Sequence, residues 1–127
     1  PKVIQTLNKI KPPYNLSSLV QEVALAKVNE GLPQKQVDEV IRERKALQKQ
    51  LADMKGVLEI FPSDANFILV RFQDAGQVFQ GLRHLGTIIR DRRKYVPDAL
   101  RITVGTPAEN KVLIDQLGKL MGELTSA

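Results

Sequence analysis

Apolar positions along the chain recur first with a helical period and then with a strand-like one. Pro12-Pro13-Tyr14-Asn15 is an extended segment, because proline and the residue before it both disfavour helix. Beyond it, Leu19, Val20, Val23, Ala24 and Val28 fall on one helical face and are expected to be buried or, in a domain severed from its parent, to leave Leu19 and Val23 as an open apolar face. Ser17 or Ser18 caps this helix, with Gln21 as capping-box partner of Ser18, and Gly31 ends it. Pro33 suits the first turn of a second helix, whose stripe is Val37, Val40, Ile41, Leu47, Leu51 and Met54 and whose stop is Gly56. Its other face, with Arg42, Glu43, Lys45 and Lys49, is solvated.

The period then changes. Val57–Ile60 and Asn66–Phe72 predict strands joined by the turn-forming Pro62-Ser63-Asp64. Asp74 caps a short helix carrying Val78, Phe79, Leu82 and Leu85, closed by Gly86. Thr87–Arg90 is a third strand, and the polar loop Asp91–Asp98 leads to a fourth at Leu100–Val104. Thr106-Pro107-Ala108-Glu109 supplies a cap, a first-position proline and a capping-box acid for a last helix burying Val112, Leu113, Leu117, Leu120 and Met121. The order is ααβ-βα-ββα. It predicts an α+β domain: a short, mostly antiparallel sheet of about four strands packed against helices.

A chain of 127 residues fits one domain with a real core. It has no cysteine, which excludes disulfides and thiolate metal sites and suits a reducing compartment. No window approaches the ~20 apolar residues of a membrane helix, and no apolar leader segment is visible. The chain starts at Pro1 in mid-pattern, which suggests a piece of a longer protein, although removal of an initiator Met before Pro1 would look the same. The net charge of +5 permits an anionic partner without demanding one.

Most catalytic constellations are missing. His84 is the only histidine and has no partner for acid–base or zinc chemistry. The glycines form no dinucleotide or phosphate loop, and the carboxylates are scattered over helix surfaces. Arg90 and Arg101 stand apart, each ending or interrupting an apolar strand pattern, Ile88-Ile89-Arg90 and Leu100-Arg101-Ile102. A guanidinium stays charged, so burying it requires an anion or several acceptors, and its planar fork fits carboxylate and phosphate bidentately. The two arginines are either a receptor for an anionic substrate or the solvent-facing residues of a half-buried sheet. The run Asp91-Arg92-Arg93-Lys94 reads as a solvated turn. Tyr14 and Asn15 are either a helix lead-in or a fixed segment presenting a phenol and an amide to a neighbouring site.

The stretches Lys11-Pro12-Pro13-Tyr14-Asn15-Leu16-Ser17, Ser63–Val70, Gly86–Arg92 and Leu100–Thr106 (LRITVGT), in that order and spacing, resemble the C-terminal part of histidinol-phosphate aminotransferases. LRITVGT followed by an acidic residue and a helix is the most specific of them. The resemblance spans nearly the whole chain and implies that residues 1–127 form the small C-terminal domain of a fold-type I transaminase. That enzyme would be cytoplasmic, homodimeric and dependent on pyridoxal phosphate. It would move an amino group between glutamate and imidazole acetol phosphate in histidine biosynthesis. The resemblance further implies that Arg90 and Arg101 bind the substrate's anionic group; Tyr14 and Asn15 stay candidates for a place near the active site.

No serine here precedes a lysine, so the family's Schiff-base Ser-Lys segment lacks a counterpart, and the large cofactor-binding domain would lie upstream. The isolated chain is therefore expected to hold no catalytic, cofactor-binding or metal-binding residue and to be inactive alone. Its expected partners are that large domain and small-molecule substrates, with no membrane and no nucleic acid. The alternative is an independent basic α+β module binding nucleic acid through Arg90, Arg92, Arg93 and Lys94, or a small carboxylate. Sheet-based RNA binding would need exposed strand aromatics, and Phe67 sits in an apolar run that reads as core.

Overall fold

The computed structural model describes residues 2–10, 16–31 and 33–124, which fall into two units, Pro1–Pro33 and Gln34–Ala127. The first unit holds α1 (Lys2–Ile10), additional to the elements predicted above, and α2 (Ser18–Asn29). Ser17 caps α2 by accepting from the Val20 N–H, whereas Gln21 donates to the Leu16 carbonyl instead of closing a capping box. The apolar stripe is open: Leu19 is 67% exposed, Val23 56% and Val28 74%. No residue of α2 is buried. A unit of this size has too little chain to cover the apolar face of a helix.

The second unit contains α3 (Gln34–Ala52), β1 (Val57–Ile60), β2 (Phe67–Phe72), α4 (Ala75–His84), β3 (Arg90–Asp91), β4 (Ala99–Thr103) and α5 (Pro107–Leu124). The strands form one antiparallel sheet in the order β1-β2-β4-β3, so the α+β expectation holds. Strand alternation decides which side chains enter the core. Ile68, Val70 and Phe72 of β2, with Leu100 and Ile102 of β4, are fully buried and pack with Leu47 and Leu51 of α3, Val78 and Leu82 of α4, and Leu113, Leu117 and Met121 of α5. One face of the sheet thus carries the helices. Phe67, Leu69 and Arg71, the alternate residues of β2, are only half-buried on the other face, so the apolar run around Phe67 is not all core.

Two strands differ from expectation at the edges. β1 has a register break between Val57 and Glu59. The predicted strand Thr87–Arg90 contracts to the pair Arg90–Asp91, and Ile88 is 81% exposed. Thr87 leaves the ladder because its N–H donates to the Leu82 carbonyl in the turn closing α4. Asp74 precedes α4 as predicted, but its side chain makes no capping bond. The start of α5 matches expectation in detail: the Thr106 N–H and hydroxyl both donate to Glu109 Oε2 at 2.8 Å, and the Glu109 N–H donates to Thr106 Oγ1.

Candidate anion-receiving site

Leu100 and Ile102 point into the core, so the period of two turns Arg101 onto the open face of the sheet. The register then assembles a row across the strands: Leu69 of β2 is opposite Arg101, and Arg101 is opposite Arg90 of β3. The two arginines singled out in the sequence are direct cross-strand partners. Like charges in such positions repel unless something neutralises them. Arg90 is exposed and Arg101 half-buried.

Arg71 lies on the same face and shows what a structurally satisfied arginine looks like here. It donates to Glu59 Oε2 at 2.7 Å and to the Pro97 carbonyl at 3.2 Å, and its guanidinium lies over the Phe61 ring. Arg101 also lies over a ring, with its guanidinium carbon 4.9 Å from the centre of Phe67, but it has no acceptor among the described residues, and its Nε is buried without a hydrogen bond. An unpaired polar atom in such a place costs free energy that a bound acceptor would return.

Asp91 follows Arg90 but does not neutralise it. Its carboxylate accepts from the Arg93 backbone N–H at 2.9 Å and from Arg93 Nη2 at 2.6 Å. The Arg93 side-chain hydrogen bond holds the Asp91 carboxyl below the usual carboxylate range, and Asp91 in turn raises Arg93. Arg92 lies over the Tyr95 ring, 4.9 Å from its centre. The basic run is therefore partly spent on its own loop, which weakens the case for a free nucleic-acid patch. The loop closes through Asp98, the one non-glycine residue with positive φ (57°) among those described.

Beyond β4, the Asn110 side chain clamps Gly105. Its Oδ1 accepts from the Gly105 N–H at 3.0 Å, and its Nδ2 donates to the Gly105 carbonyl and to Glu43 Oε2 of α3, both at 3.1 Å. A cleft of about 630 Å³ lies beside the arginines and not at them, between Thr87–Ile89 and the start of α5 near Ala108, Glu109 and Val112. His84 is exposed at the end of α4, as expected. Tyr14 and Asn15 lie outside the described residues. Phe67, Asn110 and Glu43 were not anticipated; only Phe67 left a signal, since it shares the face of Arg101 once the strand register is known.

A family model, aminotransferase class I and II, matches residues 1–117. The chain belongs to that family. Histidinol-phosphate aminotransferase of Flavobacterium psychrophilum is 42% identical over 120 residues, which are 93% of this chain and 35% of the relative. The protein of the same name from Cytophaga hutchinsonii is 44% identical over 119 residues, 91% of this chain and 34% of the relative. The chain thus spans about a third of the length of the curated aminotransferases it matches. A putative aminotransferase from Burkholderia pseudomallei has the same fold over 94% of this chain and 37% of its own, with a TM-score of 0.72 and 20% identity. The histidinol-phosphate aminotransferase of Clostridium acetobutylicum covers 66% of this chain and 27% of its own, with a TM-score of 0.62 and 18% identity.

Aminotransferases of this class imply pyridoxal phosphate, which needs a lysine amine, a partner for its ring nitrogen and donors for its phosphate. The described residues do not fit it. The 630 Å³ cleft is lined by no lysine, and its one carboxylate, Glu109, is engaged at the α5 cap. Lys55 and Asp74 share a cavity of only about 30 Å³, far below the ~300 Å³ at which small-molecule sites begin. What this unit offers instead is a pair of guanidinium groups at directly opposed strand positions.

Proposed function

We propose that this chain is the small, substrate-side domain of a pyridoxal-phosphate-dependent aminotransferase, and that Arg90 and Arg101 receive the substrate's anionic group. The observation that carries the reading is the contrast between Arg71, whose donors are met by Glu59 and Pro97, and Arg101, whose buried Nε meets nothing while a second arginine stands opposite. A guanidinium accepts carboxylate and phosphate oxygens alike. One receptor can therefore serve glutamate and a phosphorylated partner substrate in turn.

The names of the most similar relatives favour imidazole acetol phosphate and histidinol phosphate as that partner pair, in histidine biosynthesis. On this reading the lysine, the cofactor and the group that meets the cofactor's ring nitrogen belong to a large domain, and the working enzyme is a cytoplasmic homodimer. The role of this chain's residues is to bind and orient substrate. The chemistry of amino transfer is the cofactor's.

Steady-state kinetics of the aminotransferase carrying this chain test the reading. Arg101→Lys, which keeps the charge and loses the fork, is expected to raise KM for both glutamate and histidinol phosphate by at least tenfold (about 1.4 kcal/mol for each factor of ten). Unchanged KM values for both would overturn it. Mixed with pyridoxal phosphate, the chain alone is expected to give no aldimine absorbance. A cofactor band trapped by borohydride at one specific lysine would refute the small-domain assignment.

A further inference from the structure

We infer that Phe67 is a positioning residue that sets the plane of the Arg101 guanidinium and so prepares it for a planar carboxylate. The inference rests on the reading of Arg101 as anion receptor and adds the residue through which that receptor is aimed.

The register places the pair. Leu69 is opposite Arg101, so Phe67 stands two residues along β2 on the same face, in the diagonal position that aromatic and long side chains can reach. The contact is face-on, at 4.9 Å from ring centre to guanidinium carbon. A ring face attracts the cation through its quadrupole without consuming an N–H. Acceptors also hold a guanidinium, but they occupy the donors that a ligand would need, as happens at Arg71. Of the two arginines on rings on this face of the sheet, Arg71 and Arg101, only Arg101 keeps its donors free of partners among the described residues.

Phe67 is itself braced from the opposite side of the sheet. Its carbonyl accepts from Ser63 Oγ, which also accepts from the Ala65 N–H. Arg44 of α3, only 8% exposed, donates to the Ala65 carbonyl at 2.8 Å and lies 3.7 Å from Asp64. A buried arginine is a costly way to hold a turn. Here it fixes the turn from which β2 begins, at the residue that carries the ring. The path of support runs from Arg44 through Ser63–Ala65 to Phe67 and then to Arg101. A pre-set fork pays less ordering entropy when it binds. Both anions can meet the fork bidentately, but a carboxylate has a single pair of oxygens to align with it whereas a tetrahedral phosphate has several, so the carboxylate gains more from a pre-set plane.

Nε–H spectra of the ¹⁵N-labelled chain, recorded during titration with glutarate and with inorganic phosphate, test the inference. In the unsubstituted chain the Arg101 Nε–H signal, assigned by its loss in Arg101→Gln, is expected to be displaced from the bulk arginine position by the ring current and to move on adding glutarate. Phe67→Leu is expected to return it to the bulk position and to weaken glutarate binding about two- to tenfold, with a smaller loss for phosphate. Phe67→Tyr restores both, which a merely space-filling role does not require beside leucine. An Arg101 signal at the bulk position in the unsubstituted chain overturns the inference, as does a folded Phe67→Leu chain that binds glutarate undiminished. If the signal is displaced but glutarate never moves it, the receptor reading itself has failed, and this inference falls with it; the displaced signal tells that failure from the first.

Discussion

Arg90 and Arg101 face each other across the β3–β4 ladder, two like charges at directly opposed positions. Together with the unpaired Nε of Arg101, this arrangement works against stability in the absence of an anion. Arg101→Leu is therefore expected to raise unfolding stability by about 1 kcal/mol at low ionic strength while abolishing anion binding. Urea unfolding of the two chains, with and without glutarate, checks it; a destabilised Arg101→Leu chain would contradict the account.

α4 and α5 meet at Gly81, where a side chain would push Leu120 aside. A Cβ on Gly81 would stand 2.6 Å from Leu120 Cδ2 and 2.9 Å from Cδ1. Gly81→Ala is expected to cost about 1–3 kcal/mol by overpacking, despite alanine's better helix propensity. Leu120→Ala in the same chain should recover part of that loss. Thermal unfolding of the single and double variants measures the coupling.

Asn110 satisfies both polar groups of the Gly105 backbone and one oxygen of Glu43. Asn110→Ala leaves these partly buried groups without their partner, at an expected cost of about 2–3 kcal/mol. Asn110→Asp puts a carboxylate against Glu43, so its deficit should grow from about pH 4 to pH 7. Denaturant midpoints at the two pH values distinguish the variants.

The α5 cap gives a pH dependence of known sign. Hydrogen bonds from the Thr106 backbone and then its hydroxyl hold Glu109 below its ordinary value. A carboxyl depressed on folding contributes stability above its unfolded pKa and loses it as pH falls through the folded one. The Asp91 carboxyl, depressed by Arg93, has the same sign. Melting temperature is expected to decline on going from about pH 7 to pH 3, and Thr106→Ala should make that decline shallower. Glu109→Gln should flatten it further, and an unchanged slope in Glu109→Gln would remove Glu109 from the explanation.

What was legible in the sequence is what short-range chemistry decides. The Thr106–Glu109 cap lies within one turn, and the Arg90–Arg101 pairing follows once two strands joined by one loop are antiparallel. Arg44 was hidden because its partner, the Ala65 carbonyl, is 21 residues away and backbone carbonyls leave no mark in a sequence. The Asn110–Glu43 contact spans 67 residues for the same reason. Phe67 was obscured by β2 itself, where Phe67 and Leu69 make the open face as apolar as the core face and blur the alternation. The stripe on α2 was visible, but a pattern states only that a face is apolar; whether it is covered depends on what packs there.

The outer strands of the sheet have a consequence for how the chain behaves in company. β1 breaks register at the bulge between Val57 and Glu59 and carries a charged residue there, and β3 is only two residues long. A sheet edge recruits foreign strands in proportion to the length of straight, unpaired backbone it displays. Here one border is kinked and the other is nearly absent, so neither is a good template for edge-to-edge aggregation between copies.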